Sequence, residues 1–184
     1  MGSSDGPDGV TPQHLRDLIN NNVNVMLLQT ITDFVNLLLS GSILNDVKDI
    51  IFGGRLITLH NSSRGIPPIA IGYTWRRIAA KCANSFGILT MSSYLSPIKL
   101  GVGVTSGAEA AVDSLRRYVN TMVDDDIIVK LDFVNAFTLR RDTLMESIAK
   151  LIPEIYCFVH ATYSGEPILH FMNRIIRSLE GPQQ

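Results

Sequence analysis

The hydrophobic period of this chain changes from helical to alternating and back, and that switch restricts the folds open to it more than any other feature. Arg55–His60 (RLITLH) and Pro67–Gly72 (PPIAIG) are short β-branched runs separated by NSSRG, the signal of a β-hairpin with a five-to-six-residue loop. Upstream, Thr11 and Pro12 read as N-cap and first helical residue of a short helix, TPQHLRDLIN. Between Val23 and Leu39, Val25, Leu28, Ile31, Val35, Leu38 and Leu39 recur at three and four, an amphipathic helix closed by Gly41. LNDVKDIIF is a further short helical segment that stops at Gly53-Gly54. After the hairpin, Thr74 is placed to cap a helix, WRRIAAKCANSFGILTM, and a second follows over AEAAVDSLRRYVNTM. DIIVKLDFV is a continuous apolar run that predicts a buried strand. RDTLMESIAKLI and PEIYCFVHATY predict helices meeting at Pro153, and PILHF and IIRSL predict two strands, or a strand and a turn. Helices on both sides of a hairpin, with a later strand, indicate an α+β fold rather than regular βαβ winding.

A length of 184 residues with 46% hydrophobic content suits one domain or one large piece of one. No stretch nears the ~18 uncharged apolar residues of a membrane span. The opening MGSSDGPDG lacks the basic and apolar regions of a secretory leader and, with Gly6, fails as a myristoylation signal. The expectation is an intracellular protein of nucleus or cytoplasm. Two cysteines, Cys82 and Cys157, are too few for a disulfide framework or a cysteine-based zinc site.

A net charge of −1 conceals a sorting of charge. Residues 1–49 hold six acids and two bases, whereas Ile50–Ala108 hold six bases (Arg55, Arg64, Arg76, Arg77, Lys81, Lys99) and no acid. A block of that kind places a positive face on its fold, suited either to phosphate or simply to solvent.

Asp132 is the most informative single residue, because a carboxylate at the end of an apolar strand is costly unless paired or bound to metal. On pattern alone it serves equally as a helix cap, an ion-pair partner or a ligand for Mg²⁺. Asp124-Asp125-Asp126 precedes the strand at its opposite end and reads as a solvated loop. GVGVTSG lacks the Gly-Lys-Ser/Thr ending of a phosphate loop and reads as a turn into a helix. The four histidines show no ligand spacing, and no serine has a hydrolase-like His/Asp set.

GPDGVTPQHLRDL, FVNLLLSG, IPPIAIGYTWRRIAAKCAN, LGVGVTSGAEAAVDSLRRYV, VKLDFVNAF and SLEGPQQ occur in that order, from about Gly6 to Gln184. Together they resemble the first half of the reverse transcriptase domain of non-LTR (LINE-type) retrotransposons. The resemblance implies a truncated right-hand polymerase fold: an N-terminal helical part of the fingers over residues 1–52, the fingers hairpin and helices over 53–125, and a partial palm with an incomplete sheet over 126–184. It implies that Asp132 and the carbonyl of Phe133 bind Mg²⁺, that Phe137 stacks under the incoming sugar, and that Gln184 borders the nucleotide pocket. RNA template, DNA primer and deoxynucleotide triphosphates are the implied partners, and the basic block falls on the implied fingers, where Arg76, Arg77 and Lys81 are candidates to hold nucleic acid.

The departures from that family carry equal weight. Pro67 stands where resembling sequences carry an arginine that contacts the triphosphate, and proline offers neither cation nor backbone donor. Arg64, in the hairpin loop, is the residue placed to compensate. The Asp-Asp motif that would complete the metal site is not among these 184 residues. The expectation is an RNA-directed DNA polymerase fragment that does not polymerise as an isolated chain. The alternatives are a non-catalytic nucleic-acid-binding module and a decayed, unstable relic.

Overall fold

The computed structural model describes residues 4–21, 24–58, 68–131 and 139–179. The chain divides into two compact units, one of residues 1–83 with 137–184 and one of residues 84–136. In the first unit, three helices lead into the sheet: α1 (Pro12–Asn21), α2 (Val25–Leu39) and α3 (Asn45–Ile51). Thr11 caps α1 as its sequence indicates: its hydroxyl accepts from His14 N–H at 3.2 Å, and His14 Nδ1 accepts from Thr11 N–H at 3.3 Å. This is a capping box in which histidine takes the usual place of glutamate. α2 begins two residues later than its apolar pattern, because Asn24 is a better cap than Val23 and accepts from Met26 N–H at 2.9 Å.

The hairpin forms as the alternating runs predict. β1 (Gly54–Thr58) pairs antiparallel with β2 (Pro68–Gly72), in register from Gly54 opposite Gly72 to Thr58 opposite Pro68. β3 (Ile168–Phe171) and β4 (Arg174–Arg177) form a second antiparallel pair, and β1 joins the two by running parallel to β3. The sheet order is β2-β1-β3-β4. Gly53, expected only to stop a helix, also lets the chain pass close beside β3: a Cβ there would collide with the carbonyl oxygen of Ile168.

α4 (Thr74–Leu95) follows β2 and continues into the second unit. The Thr74 hydroxyl does not cap α4 as expected. It is fully buried and donates to the carbonyl of Val10, because the segment before α1 runs directly over it. α6 (Arg141–Leu151), a short 3₁₀ turn (Pro153–Ile155) and α7 (Tyr156–Tyr163) lead to β3, with the break at Pro153 where the sequence places it. The core gathers Val35 and Leu38 of α2, Phe52, Ala79 and Ala83 of α4, and Phe158 and Ala161 of α7. Phe52 and Phe158 meet edge to face at 6.1 Å, and Phe34 and Trp75 do so at 5.4 Å.

At the start of α6, Asp142 accepts from Arg140 Nη2 at 2.6 Å and from Thr143 N–H at 2.8 Å. The Arg140 hydrogen bond, followed by the Thr143 N–H, holds its carboxyl below the usual carboxylate range. A lowered folded pKa means that the stability it confers is present above the ordinary aspartate range and lost as pH falls through the lowered value. Asp142→Asn is expected to leave less acid-sensitive folding than the parent, read from urea midpoints at about pH 7 and about pH 3.

In the second unit, the loop with Gly103 (φ 69°) and Ser106 (φ 53°) turns the chain into α5 (Gly107–Val119), the role that GVGVTSG suggests. The predicted strand from Asp126 onward is not found. Residues 126–131 carry no strand, and Ile127, Val129 and Leu131 are 80%, 66% and 71% exposed. A strand needs a neighbour to complete its ladder, and apolar content alone does not provide one. No helix among the described residues is long and apolar enough to cross a membrane.

Candidate nucleic-acid interface

The close succession of β2 and α4 sets the first turns of the helix beside the outer edge of the sheet. Trp75 packs on the core, while Arg76 and Arg77 border a cleft of about 380 Å³ between Ser4, the β2 residues Ala70–Gly72, and Ala80. The two arginines have different duties. Arg76 Nη1 donates to the carbonyls of Phe52 at 2.7 Å and Gly53 at 3.3 Å, filling acceptors left open where α3 ends. Loss of water around this guanidinium lowers its pKa, and the Tyr163 hydroxyl, by charge and hydrogen bond, opposes that shift. Arg77 Nη1 donates to the carbonyl of Ser4 at 2.6 Å. Lys81 lies one helical turn beyond Arg77, on the same face, and is exposed.

Arg55, on β1 opposite Ile71 and His170, forms an ion pair with Asp5 at 2.8 Å. The segment carrying Asp5 lies flat against the start of α4: a Cβ on Gly6 would come within 2.9 Å of Tyr73 Cα and 3.2 Å of Gly72 O. Burial raises the Tyr73 pKa, and the nearby Asp8 charge adds to the rise.

Among the candidates from sequence, the structure thus brings together Arg76, Arg77 and Lys81. Asp132, Phe133, Phe137, Arg64 and Gln184 lie outside the described residues. Among the described residues, no group of three His, Cys, Asp or Glu side chains could hold a metal ion, so the magnesium expectation rests on Asp132 and Phe133 in the sequence. Ser4 and Asp5 were not legible as site residues. They stand some fifty or more positions from Arg55 and Arg77, and no local pattern pairs them. The composition of the basic block was the only hint, since a cationic strand without a nearby acid takes its counterion from elsewhere in the chain.

The described fold is a mixed α+β chain with a four-stranded sheet and a basic flank on its hairpin. No protein-family model, curated protein or solved structure matches it.

Proposed function

We propose that the chain is the fingers and opening palm segment of an RNA-directed DNA polymerase of the LINE-type retrotransposon class, which as these 184 residues engages nucleic acid without extending a primer. The ordered sequence blocks support the ancestry. The observation that carries the reading is the antiparallel β1–β2 hairpin, with Arg55 on its first strand and Arg77 and Lys81 on the helix that follows. Cations so arranged attract a phosphate backbone through counterion release, independently of base sequence. In the intact enzyme Mg²⁺ would be held in part by Asp132 and the carbonyl of Phe133, with Phe137, Gln184 and Arg64 facing the nucleotide. Pro67 removes the arginine grip on the triphosphate, which favours binding over turnover.

The test is fluorescence anisotropy with a labelled single-stranded RNA at a series of salt concentrations. Arg77→Gln with Lys81→Gln is expected to weaken binding and to flatten the log–log salt slope by about 0.7 for each phosphate that is no longer neutralised. Absence of binding at low salt defeats the proposal. Primer extension with Mg²⁺ is expected to give no product, and incorporation abolished by Asp132→Asn would show an active polymerase instead.

The exposed apolar run at 127–131 favours a second reading, a decayed relic of such an enzyme. That reading expects a broad, non-cooperative thermal transition, and a sharp one argues against it.

A further inference from the structure

The acid-free block is not left without a carboxylate. Asp5, fifty positions before Arg55, reaches the hairpin and accepts from Arg55 Nη2 through Oδ1 at 2.8 Å, while its main-chain oxygen lies 3.5 Å from the same nitrogen. Three contacts fix the segment that carries it: Arg77 to the Ser4 carbonyl, Arg55 to Asp5, and Thr74 to the Val10 carbonyl. The flush fit of Gly6 on Tyr73 holds the strap close to the sheet.

The pairing itself is a poor match. Asp5 meets Arg55 through a single nitrogen, and Arg55 Nε is buried with no hydrogen-bond partner among the described residues. A guanidinium presents a fork that a phosphate fills with two parallel bonds, and a monodentate contact leaves that capacity unused. The Arg55 and Asp5 side chains keep 41% and 39% of their exposure, so the ion pair is screened and weak. A phosphate group approaching the flank has a better geometry to offer Arg55 than the carboxylate it would displace.

We infer that Arg55 is a phosphate-binding residue of this flank and that Asp5 is its built-in competitor, a carboxylate standing where a backbone phosphate of single-stranded nucleic acid binds. This inference rests on the nucleic-acid reading proposed above and adds to it the residue contacted and the group that restrains it. Binding releases Asp5 from Arg55 while the Ser4 and Val10 contacts keep the strap in place.

The full 184-residue chain tests this by anisotropy with labelled single-stranded RNA. Asp5→Asn is expected to tighten binding by about fivefold, the factor corresponding to loss of a weak competing ion pair. The gain is expected to disappear in an Arg55→Gln background, while Asp17→Asn, which removes the same charge from α1, should not reproduce it. An unchanged affinity in Asp5→Asn, or an equal gain with Arg55→Gln present, overturns the inference. If wild type and variants all fail to bind RNA, the polymerase-fingers reading falls, and the Arg55 Nε–Hε resonance under inorganic pyrophosphate decides the inference separately. A larger perturbation in Asp5→Asn than in wild type upholds the competition, and equal perturbation or none overturns it.

Discussion

Phe52→Ala is expected to lower the folding stability of the first unit by about 3–5 kcal/mol, the range for removing a large aromatic from a packed core. Phe52 is 1% exposed at the junction of α3 and β1, where helices α2, α4 and α7 converge. The loss combines its own burial with its edge contact to Phe158 at 6.1 Å, and a cavity remains because β1 is fixed by strands on both sides. A domain of this size commonly has only about 5–15 kcal/mol to lose. The urea midpoint is therefore expected to fall steeply with little change in slope. Phe52→Leu should recover part of the loss. Retention of the parental midpoint in Phe52→Ala would mean that the α3–β1 junction is not where the core closes.

Arg76→Ala is expected to cost about 2–3 kcal/mol of stability, because it strips a charged donor from two main-chain carbonyls at the end of α3. Arg76→Lys should rescue little. An ammonium is a point donor and cannot span the Phe52 and Gly53 carbonyls and the Tyr163 hydroxyl as a planar fork does. RNA affinity of the folded protein is expected to fall less than in the Arg77 and Lys81 variants. The opposite pattern, full stability with strongly reduced RNA affinity, would return Arg76 to the role its place in the basic block suggests. The two neighbouring arginines thus separate by experiment into one that holds the fold and one that faces the cleft.

Much of the first unit was legible because its determinants are local. Thr11-Pro12 carries its own capping chemistry, Pro153 breaks a helix wherever it stands, and two alternating runs around NSSRG pair with each other across a short loop. The apolar run at 126–131 shows the opposite case. Its composition satisfies a strand, but a strand is a relation between segments, and Ile127, Val129 and Leu131 lie exposed. Thr74 belongs with it, since the identity of the residue permits a cap while the passage of Val10 overhead determines which group the hydroxyl meets.

For the candidate site, the chain alone determined that cations without acids collect between residues 50 and 108, since charge is a property of each residue wherever it lies. Only the tertiary structure decided which of them face a ligand. It turned Arg76 inward to carbonyls at the end of α3, left Lys81 at the surface, and brought Asp5 across fifty positions to Arg55. Hydrogen bonds act over about 3 Å and ion pairs over little more, so their partners are chosen by folded geometry and not by separation along the chain.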